Sequence, residues 1–208
     1  MICHPNQTAA AIAVSERITE ALAAQLKQPG TANLVLCGGN TPRQTIERLA
    51  AAPLDWSRVL ISLTDERCVP RKHADSNARM VLDIISNTKA AEAVVIDLAS
   101  PAFESLSRPA ISVVGMGTDG HFASLFPDTE QLASALALDN PQRCVHTTTA
   151  ASPHARISQT LAALVDTEQL LLLAFGEEKR SILHNPAELP VAALLQQTRT
   201  PVEIHWAP

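Results

Sequence analysis

Leu34-Val-Leu-Cys-Gly-Gly-Asn-Thr-Pro-Arg43 is the stretch whose local signals decide the fold of this chain. Four apolar residues run into a glycine pair and then into two polar residues, as a buried strand does when it ends in a loop. Pro42 comes next, and proline is favoured in the first turn of a helix because the N–H that it lacks has no partner there. The stretch therefore predicts a strand, a tight loop and a helix.

The loop in this stretch is also a candidate anion site. Gly38 and Gly39 would let the backbone approach an anion closely. The exposed amides of the helix start, together with the side chains of Asn40, Thr41 and Arg43, would suit a phosphate monoester. An ordinary strand-to-helix turn capped by Asn40 or Thr41 explains the same residues equally well. The stretch by itself leaves both interpretations open.

Apolar runs alternate with helical patterns along the rest of the chain. An N-terminal helix with apolar residues four apart ends at Pro29-Gly30. Strands are predicted at Asn33–Cys37, Val59–Leu63, Ala93–Ile96, Ala110–Val114, Cys144–Thr148, Leu170–Phe175 and Val202–Trp206. Further helices are predicted at Arg43–Ala52, Ser76–Ile85, Gln159–Val165, Glu177–His184 and Glu188–Gln196. We therefore expect one α/β domain over residues 1–208, with a mostly parallel sheet and helices on both faces.

The composition excludes several classes of function. Hydrophobic residues make up 46% of the chain and the net charge is −5, which fits a folded protein without general attraction to nucleic acids or anionic membranes. The four cysteines form no Cys-x-x-Cys pair, so neither a zinc knuckle nor a redox motif is expected. The N-terminus has no secretory pattern, and no apolar run approaches the roughly 20 residues that span a bilayer. We expect a cytoplasmic protein.

The glycines mark the site. Only seven occur, and six of them directly follow predicted strands, at Gly38-Gly39, at Gly115, Gly117 and Gly120, and at Gly176. In open α/β sheets, ligands bind at the carboxyl ends of the strands, where glycine allows close backbone approach or positive φ. The glycine positions therefore predict a ligand site at that edge of the sheet.

The stretch Gly115-Met-Gly-Thr-Asp-Gly-His-Phe-Ala-Ser-Leu-Phe-Pro127 matches the spacing of a dinucleotide fingerprint, Gly-x-Gly-x-x-Gly. We reject that interpretation because the motif lies in mid-chain and Pro127 would stop any helix after barely two turns. In addition, the last glycine stands between Asp119 and His121, which are better suited to chemistry than to helix packing. No dinucleotide cofactor is expected.

Asp119-Gly120-His121 is interpreted instead as an acid–base pair. Imidazole titrates near neutrality, and a carboxylate bonded to one ring nitrogen would fix the tautomer so that the other nitrogen acts as a base. Gly120 would let the chain turn tightly enough to bring the two side chains together. Ser124 suggests a Ser-His-Asp triad, but no glycine elbow presents its hydroxyl, so we take it as a helix or packing residue.

Charged residues of three further segments are candidates for substrate contacts. Asp65 and Arg67 end a buried strand, although a charged turn is usually only solvated. Arg156 opens a helix-like run. Lys179 lies in the first turn of a predicted helix, where a cation opposes the helix dipole unless an anion is bound, although an ordinary surface lysine remains an alternative.

These segments together resemble the 6-phosphogluconolactonase family, within the wider glucosamine-6-phosphate isomerase/deaminase-like superfamily. The resemblance runs in sequence order from about residue 34 to about residue 183, and its most specific part is Gly115–Pro127. The matching segments are Gly38–Pro42, Asp65–Pro70, Asp75–Asn77, Gly115–Pro127, Arg156–Ser158 and Gly176–Lys179. Asn40 stands where the family usually has serine, Ser158 replaces threonine, and the stretch between Ile85 and Ala110 is shorter than usual.

The resemblance implies a Rossmann-like fold and hydrolysis of 6-phospho-D-glucono-1,5-lactone to 6-phosphogluconate, without metal or organic cofactor. His121 would be the base, held by Asp119, and Arg67 would stabilise the oxyanion or a ring hydroxyl. The predicted substrate contacts are Gly38, Gly39, Asn40, Thr41, Arg43, Asp65, Gly117, Arg156 and Lys179.

Two other functions stay open at this stage. An amino-sugar-phosphate isomerase/deaminase would share the Asp-Gly-His, but the resemblance there predicts an ending like Phe-Asn-Glu-Pro, where this chain has Ser124-Leu-Phe-Pro127. A non-catalytic sugar-phosphate sensor usually carries a DNA-binding or regulatory segment, for which we expect no room here. A monomer and a homodimer are both compatible with the sequence.

Overall fold

A seven-stranded parallel sheet forms the centre of the computed structural model, which describes residues 1–208. Six of its strands overlap predicted strands, and the additional one is a two-residue strand at the edge. With strands numbered along the chain, the spatial order is β1 (Ile2–Cys3), β10 (Val202–Ala207), β9 (Leu170–Phe175), β6 (Ile111–Gly115), β2 (Ala32–Leu36), β3 (Val59–Leu63) and β5 (Val94–Val95).

Eight α-helices connect the strands. They are α1 (Gln7–Leu26), α2 (Arg43–Leu49), α3 (Asn77–Ile85), α4 (Pro101–Glu104), α5 (Leu132–Ala135), α6 (Leu161–Val165), α7 (Glu177–His184) and α8 (Pro190–Gln196). None of them combines the length and the apolar character needed to cross a lipid bilayer.

Two hydrophobic cores cover the two faces of the sheet. Successive side chains of a strand point to opposite faces, and β2 shows this directly: Leu34 and Leu36 belong to a core of 28 buried residues, whereas Val35 belongs to a second core of 13. Helices α1, α2 and α3 contribute to the first core, and α6 and α8 contribute to the second. The predicted α/β architecture, with a mostly parallel sheet and helices on both faces, is confirmed.

The structure contains a second, antiparallel sheet of three strands that the sequence does not predict. It consists of β4 (Asp65–Arg67), β8 (Arg156–Gln159) and β7 (Cys144–Thr147), with β8 in the middle. The predicted strand Cys144–Thr148 therefore exists but lies outside the parallel sheet. The helix-like interpretation of the run opened by Arg156 is wrong. The four residues of β8, Arg-Ile-Ser-Gln, are all buried but only Ile157 is apolar, so neither an alternating nor a continuous apolar pattern indicates a strand.

Thr64 joins the two sheets. Its N–H donates to the Leu36 carbonyl at 2.9 Å, as a continuation of β3 beside β2, and its carbonyl accepts from the Gln159 N–H at 2.8 Å. The small sheet therefore begins where β3 ends. It stands at the carboxyl end of the parallel sheet, where ligands bind in folds of this type.

Candidate active site

A cleft with a volume of about 500 Å³ opens at the carboxyl ends of β2, β3 and β6, beside the small sheet. Ten of the predicted site residues line it, and ten further residues complete the lining. The lining residues are Cys37, Gly38, Gly39, Asn40, Thr41, Thr64, Asp65, Arg67, Asn77, Gly115, Met116, Gly117, Thr118, Asp119, His121, Ala123, Phe126, Ala151, Ser152 and Arg156.

The loop after β2 has the predicted form of a strand end followed by a helix start. Gly39 has φ +84°, a left-handed conformation that favours glycine. Pro42 precedes the first residue of α2, and no side chain caps that helix. Asn40 and Thr41 therefore do not act as caps, and both line the cleft. Arg43, the first residue of α2, is exposed and lies outside the lining.

Asp119 and His121 form a close pair in the cleft. The Nδ1 atom of His121 lies 2.5 Å from Oδ1 of Asp119, and the backbone N–H of His121 donates to the same oxygen at 3.2 Å. The ring also lies against Phe126, with 4.2 Å between the ring centroids. Because Asp119 occupies Nδ1, the tautomer is fixed and Nε2 is the nitrogen that can accept a proton.

Two glycines make room for this pair. A Cβ atom on Gly117 would lie 2.3 Å from the Nδ1 atom of His121, so the ring packs directly on the Gly117 backbone. Gly120 has φ +74°, and a Cβ there would lie 2.6 Å from Cβ of Leu189. No helix follows the motif before α5, which agrees with the rejection of a dinucleotide site.

Asp65 holds Arg156 through a buried polar network. Oδ2 of Asp65 lies 3.6 Å from the guanidinium of Arg156 and accepts the hydroxyl hydrogen of Ser124 at 2.6 Å. Thr64 donates to the other carboxylate oxygen at 2.8 Å. Ser124 is in no helix, but its hydroxyl is buried and donates to Asp65 rather than to His121. The arrangement gives Ser124 a supporting contact and no triad geometry.

Arg67 and Arg156 lie directly opposite each other in the β4–β8 register. Burial, and after it the charge of Arg67, lower the pKa of Arg156. The Nε atoms of both arginines are buried and have no hydrogen-bond partner in the protein. Both arginines line the cleft, and two adjacent positive charges there favour an anionic ligand.

Glu66 and Asn77 are structural parts of the site that sequence reasoning missed. The Glu66 carboxylate accepts from the backbone N–H groups of Asn77 and Ala78 at 2.8 and 2.7 Å, which satisfies the first turn of α3. Asn77 in turn donates to the Asp65 carbonyl at 3.0 Å and packs where a Cβ of Gly38 would be, 2.1 Å from Oδ1 of Asn77. These contacts join residues that are distant in sequence, so no local pattern indicates them.

Lys179 is not among the residues that line the cleft. It is half-buried at the start of α7, and this burial lowers its pKa. The pKa of Cys37 is raised to about 12, first by burial and then by the charge of Asp65, and the charge of Lys179 opposes this rise.

Three side chains that could ligate a metal, His73, Asp75 and His154, cluster on the surface next to Arg67.

Comparison with known proteins identifies the family. A model described as glucosamine-6-phosphate isomerases/6-phosphogluconolactonase matches residues 5–206. A protein of Rhizobium meliloti named 6-phosphogluconolactonase is 34% identical over 98% of this chain and 96% of its own length. One of Pseudomonas aeruginosa with the same name is 38% identical over 94% and 87%.

A solved structure agrees with these matches. The crystal structure of a 6-phosphogluconolactonase from Shewanella baltica is 31% identical, covers 99% of this chain and 96% of its own, and superposes with a TM-score of 0.90. The match to the family model extends over nearly the whole chain, and so do the matches to the named relatives. The chain therefore belongs to the glucosamine-6-phosphate isomerase/6-phosphogluconolactonase family.

Proposed function

We propose that this chain hydrolyses 6-phospho-D-glucono-1,5-lactone to 6-phospho-D-gluconate, the second step of the oxidative pentose phosphate pathway. The observation that carries the proposal is the 2.5 Å contact between Asp119 and His121 in a cleft that Arg67 and Arg156 also line. The names of the relatives, which share more than 30% identity over most of the chain, support the same substrate.

The phosphate would anchor the substrate at the loop Gly38–Thr41, which follows β2. The backbone of Gly38 and Gly39, the side chains of Asn40 and Thr41, and the guanidinium of Arg156 supply donors on one side of the cleft. Binding energy from this remote group can then hold the lactone carbonyl in place for reaction. Asp65 acts by holding Arg156. Arg43 and Lys179, which lie outside the lining, stay predictions as phosphate contacts.

His121 would activate the attacking water. Nε2 removes a proton as the water oxygen bonds to C1 of the lactone, and the carbonyl oxygen becomes an oxyanion that Arg67 stabilises. When the tetrahedral intermediate collapses, the bond from C1 to the ring oxygen breaks and Nε2 returns the proton to that oxygen. The resulting carboxylic acid ionises in solvent, and His121 ends in its starting state.

The direct test measures loss of the lactone above its spontaneous rate, with wild type beside His121→Ala. We expect kcat to fall about 10²–10⁴-fold, the usual contribution of a positioned base. KM should change little, because the phosphate contacts remain. His146→Ala is the matched control, since His146 is exposed on β7 and outside the cleft lining. Undiminished turnover of His121→Ala would contradict the assignment.

The same preparation separates the competing functions. Ammonia release from glucosamine 6-phosphate would identify an isomerase/deaminase, and binding of 6-phosphogluconate without faster lactone loss would identify a sensor. A cytoplasmic location and a monomeric or homodimeric state complete the proposal; cell fractionation and sedimentation test these two points.

A further inference from the structure

Three metal-ligating side chains meet on the surface beside the cleft, and the proposed reaction uses none of them. Nε2 of His154 lies 2.8 Å from Oδ2 of Asp75, and Nδ1 of His73 lies 3.8 Å from the same oxygen. The donor atoms of all three residues lie within 4.8 Å of one another. Donors that share one zinc ion at 2.0–2.2 Å in a tetrahedron are about 3.3 Å apart. Two of the spacings are therefore within about half an ångström of those of a formed site.

The backbone around these side chains is already held in place. The N–H of His73 donates to the Pro70 carbonyl at 2.7 Å, and the His73 carbonyl accepts from the N–H of Ser76 at 3.1 Å. The Asp75 carbonyl accepts from Nη1 of Arg67. On the other side, His154 stands two residues before β8 and its ring meets that of His73 edge to face, with 5.5 Å between centroids. Nδ1 of His73 accepts from the backbone N–H of Asp75 at 3.2 Å, a bond that this nitrogen gives up when it turns to a metal ion.

We propose that His73, Asp75 and His154 bind a divalent transition-metal ion of the zinc type, with water as the fourth ligand. Two imidazole nitrogens and one carboxylate suit Zn²⁺ or Co²⁺, whereas Mg²⁺ and Ca²⁺ prefer sites made wholly of oxygen atoms. On binding, Nε2 of His154 exchanges its contact with Asp75 for the metal. A ring that binds metal through Nε2 carries its hydrogen on Nδ1.

The bound ion would connect two segments that border the cleft. The turn that carries His73 and Asp75 also holds Arg67 through the Asp75 carbonyl. The segment that carries His154 includes Ser152, whose hydroxyl accepts from Nη2 of Arg156 at 2.8 Å. The ion therefore cross-links the supports of both cleft arginines without touching the reacting atoms. Because it binds the folded state, it should raise the melting temperature.

The test titrates chelator-treated protein with Zn²⁺ by calorimetry and with Co²⁺ by visible absorption. Wild type should bind one ion per chain and melt at a higher temperature with Zn²⁺. In His154→Gln, which retains an amide able to bond Asp75, affinity should fall by more than the roughly 10–100-fold that loss of an outer-shell partner costs. The controls are His121→Gln, which removes the cleft histidine, and His146→Gln, which removes an exposed one near Cys68; both should bind as wild type does.

Two results would overturn the site. Unchanged affinity in His154→Gln means that the ion is bound elsewhere, and lost binding in His121→Gln places it on the Asp119–His121 pair. If His154→Gln without metal melts below wild type, the substitution has disturbed the buried strand β8 that follows it. His73→Asn then repeats the binding test at a residue of the exposed turn. Neither readout involves turnover, so this proposal and the proposed lactone hydrolysis fail or stand independently.

Discussion

Gly117→Ala tests the geometry of the Asp119–His121 pair without altering either side chain. The new Cβ would lie 2.3 Å from Nδ1 and Cε1 of the His121 ring and 2.7 Å from Oδ1 of Asp119. Atoms cannot pack at such distances, so the ring has to leave its place against the carboxylate or the loop has to move. Gly117 does not have positive φ, so alanine adds no backbone strain of its own.

The expected loss is that of a positioned base. Misplacing His121 should lower kcat about 10²–10⁴-fold, which corresponds to roughly 2.7–5.4 kcal/mol of activation free energy at 1.36 kcal/mol per factor of ten. KM should change far less than kcat, because the phosphate contacts proposed at Gly38–Thr41 and Arg156 are untouched. The assay is lactone hydrolysis corrected for the spontaneous rate, with the melting temperature measured on the same samples.

Gly115→Ala is the matched control for this experiment. It adds the same methyl group two residues earlier, where the new Cβ would meet only the Cys37 side chain, at an ordinary 3.4 Å from Sγ. Its kcat should fall far less than that of Gly117→Ala. Near wild-type turnover of Gly117→Ala would refute the role of the pair, and an equal fall in both variants would show that any added methyl group disturbs the loop.

Two further predictions concern the buried groups beneath the cleft. Asp65→Asn removes the charge partner of Arg156, which is only 8% exposed, and breaking a buried pair costs about 3–5 kcal/mol of unfolding free energy. Urea denaturation measures this, and an unchanged midpoint would mean that the pair is not buried in solution. Burial raises the pKa of Cys37 to about 12, so its thiol stays protonated until the pH approaches that value. Iodoacetamide at about pH 8 should therefore label the exposed Cys3 well before Cys37, and equal labelling rates would contradict the burial.

The Asp119–His121 contact was predictable because its causes are local. The two residues are two positions apart, a glycine stands between them, and a predicted strand and Pro127 confine the segment to a loop. Glycine and proline report backbone conformation directly, so a single sequence is sufficient to place the two side chains together. The positions of Gly38 and Gly39 after β2 follow from the same kind of signal.

The small sheet could not be predicted in this way. Its register pairs Asp65 with Ser158, residues far apart in the chain, and nothing in the local pattern of β8 specifies that partner. The sequence around Arg156 therefore predicts a helix-like run, although its strand is central to the small sheet. The contact of Glu66 with the first turn of α3 is hidden for the same reason, because the cap comes from another element. Arg43 shows that a residue adjacent in sequence need not lie in the cleft. It follows Gly38–Pro42, but its side chain is exposed and outside the cleft lining.

The opposed arginines connect this small sheet to the proposed chemistry. Like charges placed directly across an antiparallel pair repel each other, and Asp65 offsets only part of the charge of Arg67 and Arg156. Both arginines line the cleft, so their positive charge acts on negative charge that is bound or formed there. In the proposed reaction the bound lactone would supply negative charge through its phosphate, whereas its carbonyl is neutral until water attacks. The oxyanion would add a charge at that moment, so cations already fixed in place would stabilise the transition state more than the substrate, which is the condition for catalysis.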